Sequence, residues 1–239
     1  MSGFNAKVAA LAAKDFRVEA RGRDTLPPML AFAVTVVLLL AFVIPDAAVD
    51  EGAAGGRGSV PAVDVLSAFF WITILFAGLI GFGRSFEVER EDGALDAMLL
   101  APLDRSGHFL AKAIGNLAFI VVVELVLIPV ITLLFSLELG VHWATFALVV
   151  ALVDLGFVAV GTLLAAIAAQ TRSRELLLPI LALPMLVPVF LSAFELTADL
   201  LGGAGLDAVA ARGWFGILIA YDVILGIASA LTFEFVIDA

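Results

Sequence analysis

The chain of 239 residues contains no cysteine. That absence excludes disulfides, thiolate metal sites, a cysteine nucleophile and a thioether link to haem. Histidine is scarce, with only His108 and His142. No Gly-Lys pair occurs anywhere, so the lysine that a phosphate-binding loop places on the β and γ phosphates is missing. The glycine-rich run holding Gly52, Gly55, Gly56, Gly58 and Ser59 therefore reads as a flexible connector. Charge is also sparse, at 15% against about 25% in soluble domains. Its balance of 13 Lys+Arg against 23 Asp+Glu gives a net charge of -10 and argues against a nucleic-acid partner. No Ser-His-Asp or paired-carboxylate arrangement stands in register, so no enzymatic chemistry is expected of this chain.

What is present is apolar surface. The chain is 63% hydrophobic, with a mean hydropathy of +1.14, more than any water-soluble fold could hide. Its solvent must be lipid. Six stretches meet the length needed for a helical crossing, at 28–44, 65–82, 114–137, 143–169, 176–193 and 214–233. They are apolar on every side rather than alternating, which excludes a membrane β-barrel. The expected fold is an all-α membrane protein: one bundle of six transmembrane helices, an N-terminal amphipathic interfacial helix over 1–27, and a cytoplasmic coupling helix between spans two and three.

Basic residues set the orientation. Lys7, Lys14, Arg17, Arg21 and Arg23 precede span one; Arg84, Arg90, Arg105 and Lys112 lie between spans two and three; Arg172 and Arg174 lie between spans four and five. Only Arg57 and Arg212 remain for the other side, so both termini are expected in the cytoplasm and the protein in the cell inner membrane. The long leader of mixed charge does not resemble a cleaved signal peptide, and span one is expected to be retained. In the leader, Phe4, Val8, Leu11 and Val18 share one helical face, flanked by lysines and arginines, a pattern suited to anionic headgroups. Asp24, Thr25, Pro27 and Pro28 would cap and start the first span.

Inside the spans, Pro179, Pro184 and Pro188 predict a kinked or discontinuous fifth helix, a hinge candidate that should face protein rather than lipid. Glu124, Asp154 and Asp222 fall near the middles of spans three, four and six, with no Lys or Arg in any span. Each costs about 2.5 to 3.5 kcal/mol if charged at mid-bilayer. They should face one another, a water-filled cavity or a partner chain, serving either as an interhelical tie or as a hydrophilic path. His142 beside Trp143 is read as an interfacial anchor before an iron ligand. Gly161, Ala165 and Ala169, four apart, allow close helix approach, within one chain or between two. No internal repeat is visible, which weighs against an inverted-repeat carrier.

The densest charge lies in 84–112: Arg84, Glu87, Glu89, Arg90, Glu91, Asp92, Asp96, Asp104 and Arg105, interleaved with Phe86, Leu95, Met98 and Leu99. Leu95, Met98 and Leu99 recur at helical spacing, and Gly93 separates them from an acidic first turn. Such a face suits docking in another protein's groove, or equally a re-entrant helix packed on its own bundle. The pattern Phe86-x-x-Glu89-x-x-Asp92-Gly93-x-Leu95 resembles the cytoplasmic signature of the CcmB family, the haem exporter B permeases of cytochrome c maturation. Glu89 stands where many members have aspartate. The runs LAAKDFRVE at 11–19, LAPLDRS at 100–106, GTLLAA at 161–166 and QTRSRELLLP at 170–179 resemble that family in the same order.

The resemblance implies a permease subunit paired with a CcmA-like ATPase and associated with CcmC and CcmD, with CcmE as haem acceptor. Haem would be a handled ligand rather than a cofactor held by this chain. Phe86, Leu95, Met98 and Leu99 would anchor the ATPase, Glu89 and Asp92 would set its orientation, and the loop 170–175 would be a second contact. Because such ATPases act as pairs, two copies of this chain are expected. An ABC permease for another hydrophobic substrate, or a proton-coupled carrier using Glu124, Asp154 and Asp222, are the competing readings. Reporter fusions test the orientation: alkaline phosphatase inserted at Gly56 should be active and at Gly93 inactive, and the reverse pattern would overturn it.

Overall fold

The computed structural model describes residues 2–44, 61–86, 105–135, 137, 142–171, 174–204 and 206–237. Along the chain these form α1 (Ser2–Gly22), α2 (Leu26–Val43), α3 (Ala62–Ser85), α4 (Arg105–Leu134), α5 (Trp143–Ala169), α6 (Arg174–Leu201), the short α7 (Leu206–Ala211) and α8 (Trp214–Ile237). No strand occurs among the described residues. Six of these helices, α2 to α6 and α8, are long and apolar enough to cross a membrane. Helices are the form such runs must take, because in hydrocarbon every backbone N–H and C=O has to be satisfied within its own segment.

Two spans hold the others together. α5 packs against α8, α6 and α4, while α3 packs against α6, α2 and α4. Contact between α3 and α5 uses a reciprocal notch. A Cβ on Gly78 would run into the ring of Phe157, and a Cβ on Gly161 into the ring of Phe82. Each ring thus sits over the other helix's glycine, one turn apart. The two rings meet edge to face with centroids 5.0 Å apart, and Phe157 meets Phe190 of α6 in the same way at 5.0 Å. Edge-to-face contact suits the ring quadrupole and adds to what burial alone contributes. Gly161 is therefore occupied by packing within the chain, the first of the two uses that the spacing allowed.

Three local features differ from the sequence expectation. Helix α4 begins at Arg105 rather than near residue 114, so 105–112 is continuous with span three and brings Lys112 into a helix expected to carry no cation. α6 is a continuous helix from Arg174 to Leu201 through all three prolines, not the discontinuous form among those the prolines predicted. Pro184 and Pro188 lie on its exposed side, while Leu178, Ala182, Leu186, Val189 and Ala193 face the bundle. A ring on the outer side keeps its bulk away from the packed side. One turn before Pro188, the Tyr221 hydroxyl of α8 donates to the Met185 carbonyl at 2.7 Å, and Ser192 Oγ donates to the Pro188 carbonyl at 2.8 Å.

The third difference concerns α1. Its face toward the bundle is Val8, Ala12, Asp15 and Glu19, with Val18 exposed rather than shared with Phe4, Val8 and Leu11. α1 lies along α4, where the Phe16 ring meets Phe119 edge-on at 5.5 Å. A left-handed Arg23, with φ of 58°, turns the chain from α1 into α2. Thr25 takes the N-cap position of α2 without a side-chain cap bond, and the Glu19 carboxylate fills that role instead.

The notch gives a direct test. Gly161→Val should destabilise the bundle by about 1 to 3 kcal/mol through overpacking against Phe82. Thermal unfolding in detergent would register it, and Phe82→Ala in the same chain should restore part of the loss. A Gly161→Val protein as stable as the parent would contradict this packing.

Candidate functional site

Two groups of polar side chains stand out in a bundle otherwise built of apolar residues. The first sits where α1, the end of α3 and the start of α4 meet. Lys112 of α4 is buried, yet its Nζ pairs with Asp15 Oδ2 of α1 at 3.1 Å. The same Nζ donates to the Ser85 carbonyl at 2.9 Å and lies 5.4 Å from the centroid of the Phe86 ring. An ammonium has three protons to place and pays heavily for an unmatched one in an apolar setting. A carboxylate, a helix-terminal carbonyl and a ring face answer it. Asp15 also rests over Gly115, whose missing side chain leaves that room.

One turn along α1 from Asp15, Glu19 is buried as well. Its carboxylate accepts from the Thr25 N–H at 3.0 Å and from the Leu26 N–H at 2.7 Å. These are orphan donors at the start of a helix, where partial positive charge gathers and an anion is favoured. Sequence reasoning had singled out neither Asp15 nor Glu19. An acidic i, i+4 pair on the buried side of a basic helix was the available signal.

The second group lies within the spans. Glu124 of α4 and Asp154 of α5, both 3% exposed, lie against each other, near enough for one carboxyl to bond the other. Two carboxyl groups can share a hydrogen bond only where one of them carries a proton. One oxygen of each, Glu124 Oε1 and Asp154 Oδ1, has no hydrogen-bond partner among the described residues. Asp222 of α8 does not join them through any hydrogen bond. It lies against Gly156 of α5, and neither of its oxygens has a hydrogen-bond partner among the described residues. Other ties cross the bundle: Asn116 Nδ2 donates to Thr162 Oγ1 at 3.0 Å, Trp71 Nε1 to Thr197 Oγ1 at 2.9 Å, and Ser67 Oγ to the Phe194 carbonyl at 2.9 Å.

Of the coupling residues read from the sequence, Phe86 is described, and it is buried beneath Lys112. Glu89, Asp92, Gly93, Leu95, Met98 and Leu99 lie outside the described residues. At the same end, Gln170 Nε2 donates to the Val236 carbonyl, joining the end of α5 to that of α8. His142 takes the N-cap position of α5 at the other end, half-buried beside an exposed Trp143. Among the described residues no three His, Asp or Glu side chains cluster as metal ligands would. An apolar groove of about 420 Å³ runs between α3 and α6, walled by Trp71, Leu75, Pro184, Val187, Phe190 and Phe194.

Six lipid-compatible spans, with an ion pair and a capping carboxylate gathered where α1 meets them, define a polytopic helical membrane protein. The sequence model of the family described as CcmB protein matches residues 6–237. The chain belongs to the CcmB family. Among its relatives is a heme exporter protein B of Paracoccus denitrificans, 30% identical over 203 residues, or 84% of this chain and 86% of that one. One from Rhodobacter capsulatus is 28% identical over 188 residues, covering 78% and 80%. Another, from Haemophilus influenzae, is 25% identical over 187 residues, covering 78% and 77%.

The carboxyl pair can be probed by substitution. Glu124→Gln keeps a donor for Asp154 and should stay within about 1 kcal/mol of the parent, whereas Glu124→Leu strands Asp154 at a cost of about 1 to 3 kcal/mol. Denaturant unfolding in mixed micelles reads the difference, and equal losses would speak against the tie.

Proposed function

We propose that this chain is the membrane-spanning subunit of an ABC-type complex in cytochrome c maturation, set in the inner membrane with both termini in the cytoplasm. It passes the ATP-driven motion of a CcmA-like ATPase to the step that delivers haem or frees haem-loaded CcmE, alongside CcmC and CcmD. The observation that supports this reading is the family match together with the way the two roots of the charged segment are held. That segment joins α3 to α4 at the end where α1 packs, and Lys112 anchors both of its roots to the bundle. A docking element transmits force only if its ends are held firmly.

Within this reading the parts divide their work. Leu95, Met98 and Leu99 offer the apolar face for the ATPase, and Glu89 and Asp92 steer it by charge. Phe86, buried under Lys112, fixes the root of the segment instead of meeting the partner. The Gln170 bond to the Val236 carbonyl holds the neighbouring loop, a second contact for the ATPase. The groove between α3 and α6 suits the flat apolar body of haem or a lipid chain, but its walls carry no nitrogen, sulfur or phenolate ligand for iron. That chemistry favours transmission of motion, with iron ligation left to another subunit.

Copurification tests the proposal. The tagged chain should bring down the CcmA-like ATPase, and Asp92→Lys or Met98→Asp should cut recovery tenfold or more while membrane insertion is unchanged. Full recovery with both variants would overturn the docking assignment. Proton-driven transport by liposomes holding the purified chain alone would favour a carrier built on Glu124 and Asp154.

A further inference from the structure

We infer that Lys112 and Asp15 form the joint through which motion of the segment 84–112 reaches α1, and that α1 acts as a lever on the first span. This rests on the reading that an ATPase docks on that segment. Three facts lead to it. Lys112 holds both roots of the segment, being itself in the first turns of α4 while bonding the Ser85 carbonyl and covering the Phe86 ring at the end of α3. Its ion pair with Asp15, at 3.1 Å, ties that root to α1, and both side chains are largely withdrawn from solvent, at 5% and 14% exposure. Glu19, on the same face of α1 one turn further, grips the first N–H groups of α2 at 2.7 to 3.1 Å.

A continuous train of short polar contacts therefore runs from the segment to Lys112, to Asp15, along one turn of rigid helix to Glu19, and into the start of α2. Apolar packing transmits displacement where side chains interlock, but it does not name one partner for another. A buried ion pair does not slide freely, since parting its members leaves charge unanswered in a poorly polar setting. The link ties one named residue of α4 to one of α1, so displacement of the first is passed to the second. Lysine suits the joint better than arginine because its compact ammonium can address a carboxylate, a carbonyl and a ring face arranged in three directions, which a planar fork cannot. Asp15 and Glu19 act here as positioning residues; neither needs to touch the ATPase or any cargo.

The test uses the complex in lipid nanodiscs with its ATPase. Since the chain has no cysteine, spin labels go directly onto cysteines placed at the exposed positions Ala10 of α1 and Leu133 at the far end of α4. Pulsed electron resonance then measures their separation with and without ATP plus vanadate. The parent protein should show a nucleotide-dependent shift on the order of 2 Å. Asp15→Asn should keep the ATPase bound and lose the shift, and Asp15→Glu should restore it. Lys112→Met, which retains bulk, provides the second variant and should also lose the shift. A parent complex with no shift, or an Asp15→Asn complex that keeps it, would overturn the inference. So would loss of the ATPase from Asp15→Asn, which would assign the pair to docking. Absence of the ATPase from the parent complex would instead bring down the coupling reading itself, and the lever with it.

Discussion

Hydrocarbon offers no water to a polar group, so whatever polarity this chain carries across the membrane must be answered from within it. The bundle is organised around that demand. Trp71 reaches Thr197, Ser67 reaches the Phe194 carbonyl, Asn116 reaches Thr162, and Tyr221 reaches the Met185 carbonyl, each joining two different helices. Apolar side chains alone would bring little specificity here, since lipid tails are as greasy as leucine and packing must decide the arrangement. Glycine notches and hydrogen bonds do the deciding. The Phe82 and Phe157 rings lock α3 and α5 in register, and the polar ties hold α4, α6 and α8 around them.

Much of this was legible in the sequence, because long apolar runs allow few alternatives. Six spans and their order follow from hydropathy, and span four begins and ends in the structure at the residues read by eye, Trp143 and Ala169. Where the reading fell short, a long-range partner was responsible. Lys112 was read as part of the charged segment before span three, yet it lies within α4, where Asp15, nearly a hundred positions earlier in the chain, pairs with it. Thr25 looked like the cap of α2 from its neighbours, whereas Glu19 bends back to take the N–H groups. Three prolines predicted a kinked or discontinuous helix; α6 continues as helix through all three, with Pro184 and Pro188 on its exposed side. For the three intramembrane carboxyls, the sequence left open whether they face one another, a water-filled cavity or a partner chain. Only folding could tell that Glu124 meets Asp154 while Asp222 does not join them through a hydrogen bond.

α1 is the element that most changes character between sequence and structure. As a string it is a basic amphipathic helix, fit to lie on anionic headgroups. Folded, it turns Asp15 and Glu19 toward the bundle and uses them to hold α4 and α2, while Arg17 and Arg21 remain exposed. One helix can thus present basic residues outward and bind its own chain with acidic ones, without either role disturbing the other.

The three tryptophans are unevenly placed. Trp71 is buried inside, while Trp143 and Trp214 each open a span, α5 and α8, at the end away from α1. Indole rings prefer the headgroup level and resist leaving it, so they pin that end at a set depth. At the α1 end there is no tryptophan, and long lysine and arginine stems can follow a moving boundary. In a thicker or thinner bilayer, the accommodation would fall at the basic end, tilting or shifting the helices there while the indole end stays level.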